Sequence, residues 1–156
     1  MKQPESRVEH PKITDGHLQR LAFVYIRQSS SHQVQVHRES QANQRQLAER
    51  AQAFGWRPER IRIVDSDLGQ SGKQAAGRSG FTELLAEVSL GHVGIIFGYE
   101  VSRLARNNSD WYRLLDLAAM FSTLIADSDG VYDPRQYNDR LLLGLKGTMS
   151  EAELHI

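Results

Sequence analysis

The chain reads as an α/β domain, a mostly parallel central sheet of about four to five strands with helices on both faces. Three observations predict it. Short runs of apolar and β-branched residues alternate, four times over, with segments that are apolar at helical spacing. One of the runs, VGIIFGY at 93–99, is almost wholly apolar, as expected of a strand covered on both sides. The connections are short, which favours right-handed strand–helix–strand crossovers. At 156 residues the chain suits one domain with a proper core.

Each element has its own warrant. Residues 1–20 open with two prolines, and no periodicity runs through the first sixteen residues, so they are expected to form a flexible arm. The first strand follows at 21–26. Leu47, Ala51 and Phe54 recur at i, i+4 and i+7, and Gly55 stands where a helix would stop, which predicts a helix over 39–54. RIRIVD at 60–65 is a β-branched strand, followed by the glycine-bearing loop SDLGQSGKQAAGRSG. A short helix ending at Gly91 precedes the apolar strand. WYRLLDLAAMF is apolar at helical spacing, with Asn108 or Ser109 available as its cap. STLIAD at 122–127 is a fourth strand, SDGVYDPRQ a turn-rich loop, and 137–156 a last helical stretch.

Composition removes several classes of function. There are no cysteines, so disulfide and thiolate chemistry are excluded. No apolar run approaches the roughly 20 residues of a membrane span, and the polar N-terminus lacks a signal-peptide core, so a cytoplasmic protein without membrane contact is expected. Nineteen basic residues balance 19 acidic ones. A nucleic-acid contact would therefore have to be local rather than a general basic surface.

Two motifs fail on inspection. For GQSGKQ to be a nucleotide-binding loop, Gly would have to stand at Asp67 and Ser or Thr at Gln74. The same segment misses the nucleophile-elbow pattern because Lys73 occupies the last glycine position. Histidines 10, 17, 32, 37, 92 and 155 are scattered, without metal-ligand spacing, and read as surface or loop residues. No metal or cofactor is expected.

A different constellation remains. In parallel α/β folds, ligands gather at the carboxyl ends of strands. VYIRQSSS places Tyr25, Arg27 and Ser29 at alternating positions of a strand end, hence on one side while the strand lasts. A loop serine alone is ordinarily just solvated, and three in a row leave the register open. Ser29 is the one that shares a face with Arg27. EVSRLARNN carries Arg103 and Arg106 three apart, one face of a helical turn, with Leu104 and Ala105 free to anchor the other side. A solvated basic turn would look the same in isolation. Arg78, in GRSGF, stands just before a helix. Guanidinium groups suit a bidentate grip on phosphate and the charge of phosphoryl transfer.

Taken together, YIRQSSSHQ, ESQANQ, DSDLGQSG with GRSGF, EVSRLARN and MSEAELH resemble the catalytic domain of the serine recombinases, the resolvase/invertase family. The large serine recombinases of transposons and phages are the nearest in pattern. The resemblance covers residues 21–156 and implies a resolvase-like fold. It implies that Ser29 attacks a DNA phosphodiester, leaving a 5′-phosphoserine link and a 3′ hydroxyl, with Arg27, Arg78, Arg103 and Arg106 around the scissile phosphate. Tyr25, Gln33, Gln44, Asp65 and Ser102 match accessory positions. Many members have Asp where Ser102 stands, so no general acid is assigned, and no general base is named; separately, Leu154 stands where the small resolvases tend to have arginine. The implied partners are double-stranded DNA and further copies of the chain, a dimer that becomes a tetramer for strand exchange, without metal. MSEAELH opens the long helix of dimer contacts, and the DNA-binding region is expected beyond it. Two other readings are carried: a non-catalytic resolvase-like oligomerisation module, and a small-molecule phosphate-ester enzyme.

Overall fold

The computed structural model describes residues 8–25, 33–64, 79–98, 105 and 108–154, and within these it leaves the side chains of 33–41, 79 and 148–154 undescribed. In chain order the elements are α1 (Asp15–Leu18), β1 (Leu21–Tyr25), α2 (Gln33–Phe54), a 3-10 turn (Pro58–Arg60), β2 (Ile61–Val64), α3 (Ser79–Ser89), β3 (Val93–Phe97), α4 (Asn108–Met120), β4 (Leu124–Ala126), β5 (Val131–Tyr132) and α5 (Tyr137–Leu154). The strands form one sheet in the order β2-β1-β3-β4-β5. The first four run parallel, and β5 turns back antiparallel on β4.

Two apolar layers sandwich this sheet, as the buried strands required. On one face Phe23, Tyr25, Val64, Val93, Ile96 and Ile125 meet Leu84 and Val88 of α3, Trp111 to Ala118 of α4 and Leu143 of α5. On the other, Ala22, Val24, Ile95, Phe97, Leu124 and Ala126 meet Leu47, Ala51 and Phe54 of α2, with Trp56 beside them. Alternate residues of β1 feed opposite layers, the period of two that an extended chain imposes. Gly55, at φ 121°, ends α2 where the sequence places its stop.

The differences from expectation are local. α2 starts at Gln33 rather than near 39, because its first two turns carry no apolar stripe to mark them. The loop after β4 holds β5, only two residues long, too short for alternation to register. His17, expected at the surface, is 3% exposed. It belongs to a reciprocal cap of α1: Thr14 N donates to His17 Nδ1 and His17 N to Thr14 Oγ1.

Of the span 1–20 expected as an arm, residues 1–7 lie outside the described residues, and 8–20 are tied to the domain at several points. Val8 N donates to the Ala53 carbonyl. Lys12 Nζ donates to the Val131 carbonyl and pairs with Asp139 at 2.9 Å. Ile13 and Leu18 pack on the α2 layer. A Cβ at Gly94 would overlap the His17 carbonyl, so only glycine lets α1 lie this close to β3. Beside that contact the β1–β3 register slips between Leu21 and Ala22. No helix among the described residues is long and apolar enough to cross a membrane.

Candidate active site

β1, β2 and β3 end side by side. Tyr25 pairs with Val64, and Val24 with Phe97, so the parallel strands stop together at the carboxyl edge of the sheet. From that edge begin three segments: 26–32, which carries Arg27 and Ser29; 65–78, which carries Asp65 and Arg78; and 99–107, which carries Ser102, Arg103 and Arg106. These seven residues lie outside the described residues.

Their described neighbours have definite places. Tyr25 is 1% exposed and faces the layer of α3 and α4. Ala105, between the two arginines of SRLAR, is buried in that same cluster, as expected if the apolar part of the turn anchors it. α3, which also covers this face, begins at Ser79, the residue after Arg78. Its chain then runs back toward the start of β3, so its first turn lies at the carboxyl edge. Tyr25, Ala105 and the opening of α3 thus approach the edge from one side of the sheet.

Gln44 approaches from the other. It is half-buried on α2, one turn before Leu47, which seats that helix on the opposite layer. Gln33 and Gln44 are 11 residues apart, three turns at about 3.6 residues each, so they share a register on the helix. Toward its start the stripe that is apolar at Leu47, Ala51 and Phe54 turns polar. The two described accessory positions, Tyr25 and Gln44, therefore flank the end of β1 on opposite faces.

One group of charges at this edge was not marked in the sequence. Asp127, immediately after β4, is 2% exposed and pairs with Lys146 of α5. Arg50 of α2 donates to the Asp127 carbonyl. A carboxylate directly after an apolar strand, as at Asp65, was the available signal. Tyr132, beside the group, has its hydroxyl pushed above the ordinary value by burial and then by Asp127. Among the described residues no group of three or more His, Cys, Asp or Glu is arranged to hold a metal ion.

The fold and this edge define a class, an α/β domain in which the segments that carry the candidate residues follow the carboxyl ends of adjacent parallel strands. Residues 22–156 match the family model described as Resolvase, N terminal domain. The chain belongs to the resolvase family, the serine recombinases. An uncharacterized protein, y4bA/y4pH of Sinorhizobium fredii (strain NBRC 101917 / NGR234), is 61% identical over 145 residues. That match covers 93% of this chain, which spans only 21% of the relative's length. The crystal structure of a resolvase family site-specific recombinase from Streptococcus pneumoniae superimposes with a TM-score of 0.60 at 24% identity, covering 86% of this chain and 87% of that one. The N-terminal catalytic domain of TP901-1 integrase superimposes with a TM-score of 0.50 at 16% identity, over 86% and 96% of the two chains. At those identities the likeness is one of fold.

Proposed function

We propose that residues 21–156 form the catalytic domain of a site-specific DNA recombinase, acting in the cytoplasm, with Ser29 as nucleophile. One observation carries this reading: Tyr25, Ala105 and the start of α3 meet the carboxyl edge from a single face. Arg27 follows Tyr25 by two, Arg78 adjoins α3, and Arg103 and Arg106 bracket Ala105. On this reading the four arginines supply permanent cations around Ser29.

In the reaction, Ser29 Oγ attacks a backbone phosphorus as its proton leaves. The bond to the 3′ oxygen breaks, and that oxygen takes a proton to become a hydroxyl. The phosphate stays esterified to Ser29 on the 5′ side, and a 3′ hydroxyl from another strand reverses the step. Phosphoryl transfer demands positioning and charge neutralisation. Arg27, Arg78, Arg103 and Arg106 supply both, since a guanidinium matches two phosphate oxygens at once. Tyr25, Gln33, Gln44, Asp65 and Ser102 have accessory roles in this reading. Exchange of strands needs several copies acting together, and α5 offers a surface for assembly: Tyr137 is 80%, Leu141 50% and Leu145 52% exposed along one side of the helix.

The test is to trap the full-length protein on a nicked DNA substrate and map the covalent link. The expected link joins the 5′ phosphate to Ser29, formed with chelator present. Attachment at another residue, or dependence on a divalent ion, overturns the reading. The same apolar face also favours the non-catalytic alternative, an oligomerisation module. Under that alternative no covalent link forms and Ser29→Ala leaves assembly and function intact.

A further inference from the structure

The charge group at the end of β4 joins elements that have no other reason to share it. The Asp127 carboxylate accepts from the backbone N–H of Asp129 at 2.9 Å and of Gly130 at 3.1 Å, which folds the turn into β5. Lys146 of α5 reaches Asp127 at 3.2 Å and Asp129 at 3.1 Å, with its ammonium 5.6 Å from the centre of the Tyr132 ring. From the opposite side of the sheet, Arg50 binds the Asp127 carbonyl while lying 5.4 Å from the Phe54 ring and 5.9 Å from Phe97. Residue 127 is thus gripped by α2 through its main chain and by α5 through its side chain. Burial opposes the charge on Lys146, but its bonds to Asp129 and Asp127 outweigh that and raise its proton affinity above the ordinary lysine range.

Along α5, Asp139, Leu143, Lys146 and Gly147 form the inward register. Asp139 is held by Lys12 and by the backbone N–H of Asp133. The Leu143 carbonyl accepts from Trp111 Nε1 at 2.9 Å. Gly147 lies so close to the Trp111 indole that a Cβ would overlap it. Lys146 is the member of this register that reaches the carboxyl edge of the sheet. Beyond it the helix runs on to Leu154, about 12 Å at 1.5 Å per residue. A small change of angle at residue 146 is magnified along that length.

We propose that Lys146 is a positioning residue: its fastening to Asp127 and Asp129 sets the heading of the last turns of α5 relative to the strand edge that leads to the candidate nucleophile. Its effect on DNA chemistry rests on the recombinase reading; the heading itself does not. An exposed lysine pair would hold little. This pair differs because the Asp127 carboxylate is buried, so removing its cation leaves a costly unpaired charge and favours rearrangement around it.

These 156 residues hold no cysteine, so once any cysteine elsewhere in the full-length protein is replaced by serine, introduced pairs carry spin labels without background. Labels at Glu83→Cys on α3 and Ala152→Cys on α5 report the far end of the helix. Labels at Glu83→Cys and Leu141→Cys report the part before the latch. In the full-length protein, Lys146→Met should broaden or shift the 83–152 distance distribution while the 83–141 distribution stays put, and Lys146→Arg should restore it. Asp129→Asn, at an exposed carboxylate, should give a smaller change of the same kind, which serves if the methionine variant does not fold. Unchanged 83–152 distances in both Lys146→Met and Asp129→Asn, or a loss that arginine does not rescue, overturns the proposal. Adduct yield on nicked DNA should fall about tenfold or more in Lys146→Met, since misplacement of a reacting group is costly. If the parent protein forms no adduct, the recombinase reading fails while the distances still judge the latch.

Discussion

The two edges of the sheet use charge in opposite ways. At the amino edge, charged side chains are consumed by the backbone. Arg20 donates to the carbonyls of Val93 and Phe121 at 2.9 Å each and of Ser122 at 2.7 Å, joining the loops that open β3 and β4 to the start of β1. Trp56 Nε1 binds the Arg20 carbonyl, and Arg60 the Leu18 carbonyl. Asp133, at the end of the antiparallel β5, is embraced by Arg135. At the carboxyl edge the described charges brace helices against strand ends, and the candidate residues issue from the same edge. Arginine at a sheet edge is therefore no mark of a site by itself. What distinguishes the candidates is that their segments follow the carboxyl ends of adjacent parallel strands in the chain.

Substitutions at the two edges should separate function from stability. The largest effect expected is at the carboxyl edge. Ser29→Ala in the full-length protein should reduce covalent adduct on nicked DNA to nothing measurable, with the melting temperature unchanged; persistence of adduct would move the nucleophile elsewhere. Gly94→Ala should do the reverse, costing about 1–3 kcal/mol or more by forcing α1 off β3. Denaturant unfolding measures it, and an unchanged midpoint would refute the close approach. Arg20→Met should cost about 2 kcal/mol, because three carbonyls lose a charged donor. It should leave adduct formation per folded molecule intact.

The smallest effect is titration of the amino edge. Burial, then Arg20, holds the His17 imidazole below its ordinary 6.5, against the nearby Asp133 carboxylate; Arg135 also opposes protonation, and the Ser122 carbonyl favours it. The folded state therefore prefers the neutral ring. Its contribution is whole above about pH 6.5 and declines as pH falls through that value toward the lower folded one. The Asp133 carboxyl, which burial alone would raise, is carried below its ordinary 3.8 by Arg135, so its contribution is lost only in a more acid range. Between pH 7 and 5 the stability of the parent should fall more steeply than that of His17→Gln. Parallel curves would mean that the ring is not held neutral.

Much of this was legible before any tertiary contact was known. Leu47, Ala51 and Phe54 announced α2, and the unbroken apolar run announced β3, because burial on one or both faces leaves a periodic trace. The burial of Ala105 was legible for the same reason, since Leu104 and Ala105 are the apolar pair between two cations. The tight packing of residues 8–20 was not. Its contacts depend on a glycine 77 positions from His17 and on carbonyls about a hundred positions from Arg20. Lys146 was equally silent, since a lysine in a helix looks the same whether it is solvated or latched to a buried carboxylate.

By itself, then, the order of residues determined the four parallel strands and the helices between them, because these follow from local period and connection length. Only the tertiary structure decided which of the described charges are bound up in holding the sheet together, Arg20, Arg50 and Lys146 among them. A side chain's partners across the fold are set by the path of the backbone, and no local pattern encodes them.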